Sequence, residues 1–289
     1  MDQLQTQIDL QKFNIERPIP VTSLFEDLES QKAPPTEKVE DTYAQIVANY
    51  KKSKLIPWRR FIETPSFMNF VGPLSSEDVI DLACGEGFYT RKFRQMTNGK
   101  VYGVDFSENM INLAQYQLTD GMDINFSQQD CSLPVTHIPH QFDLVTPTFL
   151  LQNATSEERF EQMVRNIWNL CKPGGRVCGM GSSPKLSVDK LKKEEKYGRF
   201  YTVEPETYFK ENASRYVVRI VDEEANLDIN LVLNWFSAEH YERTFKKLGF
   251  VDFKWVPMSQ FGDEGNEEYW KDMVNDCSII MYEAWKPLN

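Results

Sequence analysis

One short segment, VIDLACGEGFYTRKF (79–93), constrains the fold of this chain more than any other. An apolar run ends at Cys84, glycines follow at Gly85 and Gly87, and a helical pattern begins near Tyr89. Because glycine has no Cβ, the backbone of such a loop can pass close to a ligand before it enters a helix N-terminus. The segment predicts a strand–loop–helix unit that binds a nucleotide-like ligand.

Short apolar runs alternate with helical patterns through the middle and end of the chain. Strands are predicted at 79–84, 101–105, 124–127, 142–146 and 176–181, and helices at 107–118, 156–171 and 237–249. Alternation at this spacing is typical of a parallel sheet with helices on both faces. We therefore predict an α/β fold: a Rossmann-like, doubly wound, mainly parallel sheet of seven strands.

The two ends of this pattern suggest how the chain is divided. Residues 1–38 are polar, carry four prolines and show no sustained period, which predicts a flexible arm. Residues 39–289 are the predicted domain. Within it, we expect 39–73 to form a helical cap and 182–236 to form an insertion, before the last strands, that acts as a lid.

Net charge and composition narrow the range of partners and locations. With 43 acidic and 32 basic side chains the formal charge is -11, and such a surface repels phosphate backbones, so we expect no nucleic-acid partner. The sequence shows no secretory signal and no run of about 18 apolar residues, so we expect no membrane span. Five widely spaced cysteines indicate reduced thiols and a cytoplasmic protein. Either a monomer or a homodimer is consistent with the sequence.

Three aspartates accompany the first three predicted strands. Asp81 lies inside the first strand, Asp105 ends the second and Asp130 follows the third. A carboxylate at position 105 can accept both ribose hydroxyls, and one at position 130 could accept an adenine amino group. A dinucleotide site would have a third glycine where Thr90 stands, which weakens the case for a nicotinamide cofactor. This arrangement suits a nucleoside with a cationic amino-acid tail and no pyrophosphate, which is S-adenosylmethionine.

The same segments resemble the motifs of the class I S-adenosylmethionine-dependent methyltransferases. GVDFSENMI (103–111) is similar to the second motif, and LCKPGGRV (170–177) to the loop before the fifth strand; the likeness covers about residues 40–181. It implies S-adenosyl-L-homocysteine as product and no metal. By this resemblance the cofactor-binding residues are Asp81, Ala83, Gly85, Gly87, Asp105, Phe106, Met110, Asp130, Cys131 and Thr146.

A narrower resemblance concerns the two flanks. YAQIVANYKKSKLIPWRRF (43–61) and GDEGNEEYWKDMVNDCSIIMYE (262–283) are similar to methyltransferases of the toxoflavin-synthase type, which act on small molecules in specialised metabolism. This likeness implies that Tyr43, Tyr50 and Arg60 close over the methionine end of the cofactor. A helix face packed on the sheet, with an exposed arginine, is the alternative.

The end of the fourth strand bears on the methyl acceptor. Methyltransferases of nucleic-acid base amines have Asn/Asp-Pro-Pro-Tyr/Phe here, whereas this chain has TPTF (146–149), which disfavours base methylation. Thr148 and His240 are candidate catalytic residues. For His240 the reason is that an imidazole can remove a proton from a hydroxyl or a ring nitrogen. An ordinary surface histidine on its helix is the alternative for His240. His137 and His140 lie before the fourth strand without further ligands at metal spacing, so we predict no metal.

Aromatic side chains would favour a sulfonium ion and stack a planar acceptor. The candidate substrate-binding residues are Trp58, Phe149, Tyr201 and Trp235. The sequence therefore predicts methyl transfer to a small-molecule acceptor by in-line displacement in a closed, aromatic-lined pocket. A protein or RNA methyltransferase, a non-catalytic S-adenosylmethionine-binding partner protein and a nicotinamide oxidoreductase remain as alternatives.

Overall fold

The computed structural model describes residues 53, 56–119, 121–138, 140–203, 209–261 and 266–288 of the 289-residue chain. The predicted arm, together with Tyr43 and Tyr50, lies outside the described residues. The α-helices are α1 (Thr64–Val71), α2 (Phe88–Met96), α3 (Glu108–Tyr116), α4 (Glu157–Leu170), α5 (Val188–Lys193), α6 (Ala238–Leu248) and α7 (Glu267–Asn275). A π-helical turn, Arg59–Glu63, precedes α1.

The strands form two sheets. They are β1 (Val79–Leu82), β2 (Val101–Asp105), β3 (Asn125–Gln128), β4 (Phe142–Pro147), β5 (Cys171–Ser182), β6 (Arg199–Val203), β7 (Ser214–Asp222), β8 (Leu227–Trp235), β9 (Val251–Val256) and β10 (Ile279–Trp285). The larger sheet has the order β3-β2-β1-β4-β5-β10-β9, in which β1 to β5 are parallel and β10 is antiparallel to both neighbours. This arrangement confirms the predicted mainly parallel seven-stranded sheet.

The central strands β1 and β4 are largely buried on both faces, which explains why they are mostly apolar. Every residue of β1 is buried. Val79 packs in the hydrophobic cluster that contains Phe93 of α2, whereas Ile80 packs in the cluster that contains Phe160 of α4. Successive strand side chains point to opposite faces, so each face of the sheet supports its own core.

Serine side chains cap two helices at their starts. The Ser156 hydroxyl accepts the Arg159 N–H at the start of α4, and the Ser237 hydroxyl accepts the His240 N–H at the start of α6. Gly249 ends α6 in the left-handed conformation that favours glycine. In the described part of the chain, no helix combines the length and the apolar character that a membrane crossing requires.

The smaller sheet is antiparallel and has the order β6-β7-β8. β7 and β8 form a long hairpin whose register runs from Ser214 opposite Trp235 to Asp222 opposite Leu227. This hairpin lies within 182–236, the segment that is predicted to form an insertion. Whether the segment moves as a lid stays a prediction.

The strand order around β1 indicates where a ligand site is expected. The chain passes from β1 to β2 on one side, and β4 is added on the other side of β1. The strand order therefore reverses between β1 and β4. In open α/β sheets, ligands bind in the crevice outside the carboxyl ends of the strands at such a point.

Candidate cofactor and acceptor cavity

A cavity of about 620 Å³ lies at this point of strand reversal. Residues that end or follow β1, β2 and β4 line one part of it, and residues of β7 and β8 line another. Twelve of the predicted site residues line it: Trp58, Asp81, Ala83, Gly85, Asp105, Phe106, Met110, Asp130, Cys131, Thr148, Phe149 and Tyr201. The volume lies within the roughly 300–1,000 Å³ of small-molecule sites.

The loop after β1 has an unusual backbone. Ala83, Gly85 and Gly87 have φ values of 61°, 55° and 78°. Positive φ is uncommon for a residue with a Cβ, so the conformation of Ala83 stores strain. A Cβ on Gly87 would lie 2.7 Å from the Phe126 ring, so only glycine fits there without displacing its neighbour. Gly87 is not among the residues that line the cavity; it shapes the loop that does.

Asp81 is held from two sides. The Thr90 hydroxyl donates to Asp81 Oδ2 at 2.6 Å, and the Thr146 hydroxyl donates to Oδ1 at 3.2 Å. Thr146 does not line the cavity, and its hydroxyl orients the Asp81 carboxylate, which does. Thr90 stands where a dinucleotide site would have its third glycine. Its hydroxyl ties α2 to β1, a role that the sequence analysis missed.

Asp105 joins the end of β2 to the glycine loop. Its two carboxylate oxygens accept the N–H groups of Gly85 and Ser107, each at 2.9 Å. Burial raises the pKa of Asp105, and the two hydrogen bonds oppose that effect. A carboxylate oxygen has two lone pairs, so each oxygen of Asp105 can still accept a hydrogen bond from a ligand hydroxyl.

Next to Asp105, the wall of the cavity consists of aromatic, apolar and polar side chains. Phe106 is 73% exposed although it lines the cavity, and Met110 lies on the first turn of α3. Asp130 accepts the Ser132 N–H at 2.8 Å. Burial raises the pKa of the Cys131 thiol to about 12, so it is a neutral wall residue and no nucleophile. These side chains suit a flat heterocycle with an amino edge.

The chain segment before α1 brings Trp58 and Arg59 to the cavity, and leaves Arg60 exposed and outside its lining. The Arg59 guanidinium lies 3.7 Å from Glu63. Arg59 Nε and Trp58 Nε1 are buried and have no hydrogen-bond partner among the described residues. Buried donors in a folded protein are normally satisfied, so these two suit a ligand that brings an acceptor. The predicted role of Arg60 is therefore better suited to its neighbour.

Polar side chains that hydrogen-bond to one another line the cavity beside Trp58. The Tyr201 hydroxyl donates to Glu194 at 2.6 Å and accepts from Arg199 Nη2 at 2.8 Å. The Arg199 guanidinium lies 4.4 Å from the centre of the Trp58 ring. Burial raises the pKa of Tyr201 well above its ordinary value. The ring of Tyr201 is a wall, while its hydroxyl is engaged inside the protein.

The end of β4 is strained at the cavity. Phe149 has a φ of 59°, and its N–H donates to the Met180 carbonyl at 2.6 Å. Thr148 is 4% exposed, and its hydroxyl has no hydrogen-bond partner within the described ranges. Strain held by packing next to a cavity is a feature of functional sites.

The structure does not bring His240 and Trp235 to the cavity. His240 packs against Phe160, with ring centres 4.8 Å apart, because the Ser237 cap turns the first turn of α6 towards α4. Burial lowers the pKa of His240. Trp235 packs against Phe209 at 5.7 Å. Their predicted roles in proton removal and acceptor binding gain no support from this placement.

The other histidine pair belongs to a different region. His140 Nε2 lies 2.8 Å from Asp78, which precedes β1 at the amino end of the sheet. Among the residues that the structure describes, no three His, Cys, Asp or Glu side chains are grouped so as to hold a metal ion.

Comparisons with known proteins agree with this geometry. A family model described as a methyltransferase domain matches residues 79–175. The demethylmenaquinone methyltransferase of Lactococcus lactis subsp. lactis is 29% identical over 160 residues, 53% of this chain and 62% of that protein. The ubiquinone/menaquinone biosynthesis C-methyltransferase UbiE of Ectopseudomonas mendocina is 30% identical over 167 residues, 53% of this chain and 60% of that protein. The chain thus spans about three fifths of the length of these relatives.

A solved structure shows the same fold. The S-adenosylmethionine-dependent methyltransferase of Clostridium acetobutylicum ATCC 824 matches with a TM-score of 0.53 and 16% identity, over 86% of this chain and 99% of that one. With the family model, it confirms the resemblance to the class I methyltransferases. The toxoflavin-synthase type stays a prediction.

Proposed function

We propose that this chain, a class I methyltransferase by its fold and by the methyltransferase domain at residues 79–175, transfers a methyl group from S-adenosylmethionine to a small molecule. One observation carries the proposal. A single cavity of about 620 Å³ is lined both by the glycine loop with Asp105 and by β7 and β8. Cofactor and acceptor can therefore meet in one continuous space.

The residues of the first part of the cavity fit the cofactor. Asp105 would accept the ribose hydroxyls, while Phe106, Met110 and Asp130 would surround the adenine. The orphaned donors of Trp58 and Arg59 would bind the methionine carboxylate. Charge-assisted hydrogen bonds of this kind are stronger than neutral ones.

S-Adenosylmethionine supplies an electrophilic methyl group, whose bond to sulfur breaks as its bond to the acceptor forms, so that a neutral thioether remains and a proton of the acceptor passes to solvent. The protein's part is alignment and exclusion of water. The apolar side chains Val218, Ile220 and Leu233 cover the cavity from the smaller sheet. Phe149 and Trp58 add aromatic surface, which suits a developing or existing positive charge.

For the acceptor we propose a planar small molecule with an apolar body. The names of the two curated relatives refer to quinone biosynthesis, and the aliphatic face of β7 and β8 suits such a body. A specialised metabolite of similar shape fits the same face. A protein or RNA acceptor is less well suited, because the β7–β8 hairpin covers this part of the cavity.

Buried, unpaired cysteines such as Cys178 support a cytoplasmic location.

Calorimetric titration with S-adenosylmethionine, S-adenosylhomocysteine and NAD tests the proposal. We expect both adenosyl ligands to bind and NAD not to bind. Asp105→Ala should weaken binding of S-adenosylhomocysteine by about tenfold or more, since hydrogen bonds to a charged group contribute about 1.5–3 kcal/mol. The control is Asp123→Ala, which removes an exposed aspartate outside the cavity lining. Binding of NAD in place of the adenosyl ligands would refute the proposal.

A further inference from the structure

A chain of hydrogen bonds crosses the acceptor side of the cavity. Gln152 lies in the 3₁₀ turn after β4, Ser182 ends β5 and Tyr216 lies on β7. The Ser182 N–H and hydroxyl lie 2.7 Å and 2.8 Å from Gln152 Oε1, and the Ser182 hydroxyl also contacts the Tyr216 hydroxyl. All three residues line the cavity, and none is more than 9% exposed.

The direction of every hydrogen bond in this chain follows from the Ser182 backbone. An N–H can only donate, so the Gln152 atom opposite it is the carbonyl oxygen, which can only accept. The Ser182 hydroxyl at 2.8 Å from that oxygen must therefore donate its single proton to Gln152. Its oxygen is left to accept, and the Tyr216 hydroxyl must donate to Ser182. The only proton of the Tyr216 hydroxyl is thus used inside the protein.

A neutral hydroxyl in this state offers lone pairs and no proton. Burial raises the pKa of Tyr216 to about 12, so the phenol keeps its proton at neutral pH. Its oxygen can accept a hydrogen bond from a ligand but cannot donate one. Tyr201 on the neighbouring strand differs, because its hydroxyl donates to Glu194 and accepts from Arg199.

Along β7 and β8 the neighbours of Tyr216 are apolar, while on β6 the polar residues Tyr201 and Arg199 pair with Val218 and Ile220. Side chains two residues apart share a face of a strand, so Val218 and Ile220 continue the face that carries Tyr216. On β8, Leu233 pairs with Tyr216 and Leu231 with Val218. All of them line the cavity. A ligand held against β7 and β8 meets a strip of aliphatic side chains with the Tyr216 oxygen at one end, beside Tyr201 and Arg199, which hydrogen-bond to each other.

We propose that Tyr216 selects the methyl acceptor by accepting a hydrogen bond from it, so that the acceptor carries a hydroxyl or N–H group on a flat apolar body. The body lies along the aliphatic strip, and the donating group lies at the Tyr216 oxygen. That group then keeps a lone pair free for the methyl group. The identification of this ligand as the methyl acceptor, and only that, rests on the proposed function.

Two matched probes test the selection. 2-Naphthol and 2-methoxynaphthalene share an apolar body and an oxygen that accepts hydrogen bonds, but only the naphthol can donate one. Titration of the full chain, with and without saturating S-adenosylhomocysteine, should give about three- to tenfold tighter binding of the naphthol, as one net hydrogen bond predicts.

Variants of the hydrogen-bond chain give a readout that a purely structural role would not change. Tyr216→Phe should abolish the preference for the naphthol. Ser182→Ala frees the Tyr216 proton for donation, so the methoxy probe should then bind within about twofold of the naphthol. Tyr241→Phe is the control, since Tyr241 is a buried tyrosine outside the cavity lining, and it should keep the wild-type preference. Thermal unfolding checks that each variant is folded.

The outcomes separate this proposal from the proposed function. A naphthol preference that survives Tyr216→Phe, or failure of both probes to bind the wild-type protein, overturns the selection by Tyr216. A preference that depends on Tyr216 in a protein that binds no S-adenosylhomocysteine would support the site and refute the methyltransferase function. Binding of S-adenosylhomocysteine without any preference for the naphthol would support the methyltransferase function and refute the selection by Tyr216.

Discussion

Arg59 and Arg60 are adjacent in sequence but differ in their surroundings, and this difference can be measured. Arg59 lines the cavity with a buried Nε that has no hydrogen-bond partner among the residues described by the structure, whereas Arg60 is exposed. If Arg59 binds the methionine carboxylate, Arg59→Met should weaken S-adenosylhomocysteine by about tenfold or more and leave 5′-methylthioadenosine, which has no carboxylate, nearly unchanged.

Arg60→Met is the matched control for that experiment. It removes the same charge one residue away and should change the affinity of neither ligand. Because Arg59→Met also leaves the buried Glu63 without its ion pair, Arg59→Lys is a useful second variant that keeps the charge. Equal losses for the two ligands in Arg59→Met would show that the arginine does not bind a carboxylate.

At the scale of elements, the glycine loop can join α2 in its present conformation only because Gly87 has no Cβ to contact the Phe126 ring. The Phe126 ring packs against both Gly87 and Gly103, so it has little room to move away from a new methyl group. Gly87→Ala therefore combines the cost of a positive φ, about 1 kcal/mol, with overpacking that typically costs about 1–3 kcal/mol. We also expect weaker binding of S-adenosylhomocysteine, because the loop lines its site.

Gly121 provides the comparison for Gly87. Its φ of 85° is similar, but a Cβ there would meet no atom within 4 Å. Gly121→Ala should lower the free energy of unfolding by only about 1 kcal/mol and leave ligand binding intact. Urea unfolding of both variants gives the difference. Equal stabilities would mean that Phe126 yields freely and that the loop does not require glycine for space.

The whole molecule has a charged cluster at the amino end of the sheet that should make its stability depend on pH. Burial by itself would raise the pKa of Asp78, but hydrogen bonds from the Lys100 N–H, Lys172 and His140 lower it to about 2, below its usual 3.8. Because the folded pKa is depressed, the stabilisation is present above about pH 4 and is lost as the pH falls towards 2. Linkage gives roughly 2 kcal/mol at neutral pH.

Urea unfolding of the wild-type protein and Asp78→Asn at pH 7 and pH 3 measures this contribution. The wild-type protein should be more stable by roughly 2 kcal/mol at pH 7, and by about half of that at pH 3. Lys172→Met, which removes one partner of Asp78, should shift the acid sensitivity to higher pH. A stability difference that is the same at both pH values would contradict the assignment.

The order of strands and helices could be read from the sequence because it depends on local patterns. The apolar runs at 79–84 and 142–146 begin at the same residues as β1 and β4, and the helices predicted at 156–171 and 237–249 match α4 and α6 to within one residue at each end. Asp81 and Asp105 follow from their positions in and at the end of these strands, since parallel strands bring their carboxyl ends to one edge. That residues proposed to bind the cofactor lie together could therefore be predicted from the sequence.

The acceptor side depends on contacts between distant segments, for which no local pattern exists. Tyr216 meets Ser182 across 34 residues, and Ser182 meets Gln152 across 30. A shift of one residue decides between Arg59 and Arg60, because adjacent side chains on a helical turn point in different directions. Local patterns in the sequence by themselves predicted the sheet and the glycine loop, and the resemblance of these motifs predicted the methyltransferase domain. Only the packing of the β7–β8 hairpin over the ends of β4 and β5 decided which hydroxyl keeps free lone pairs, since hydrogen-bond direction is set by neighbours in space.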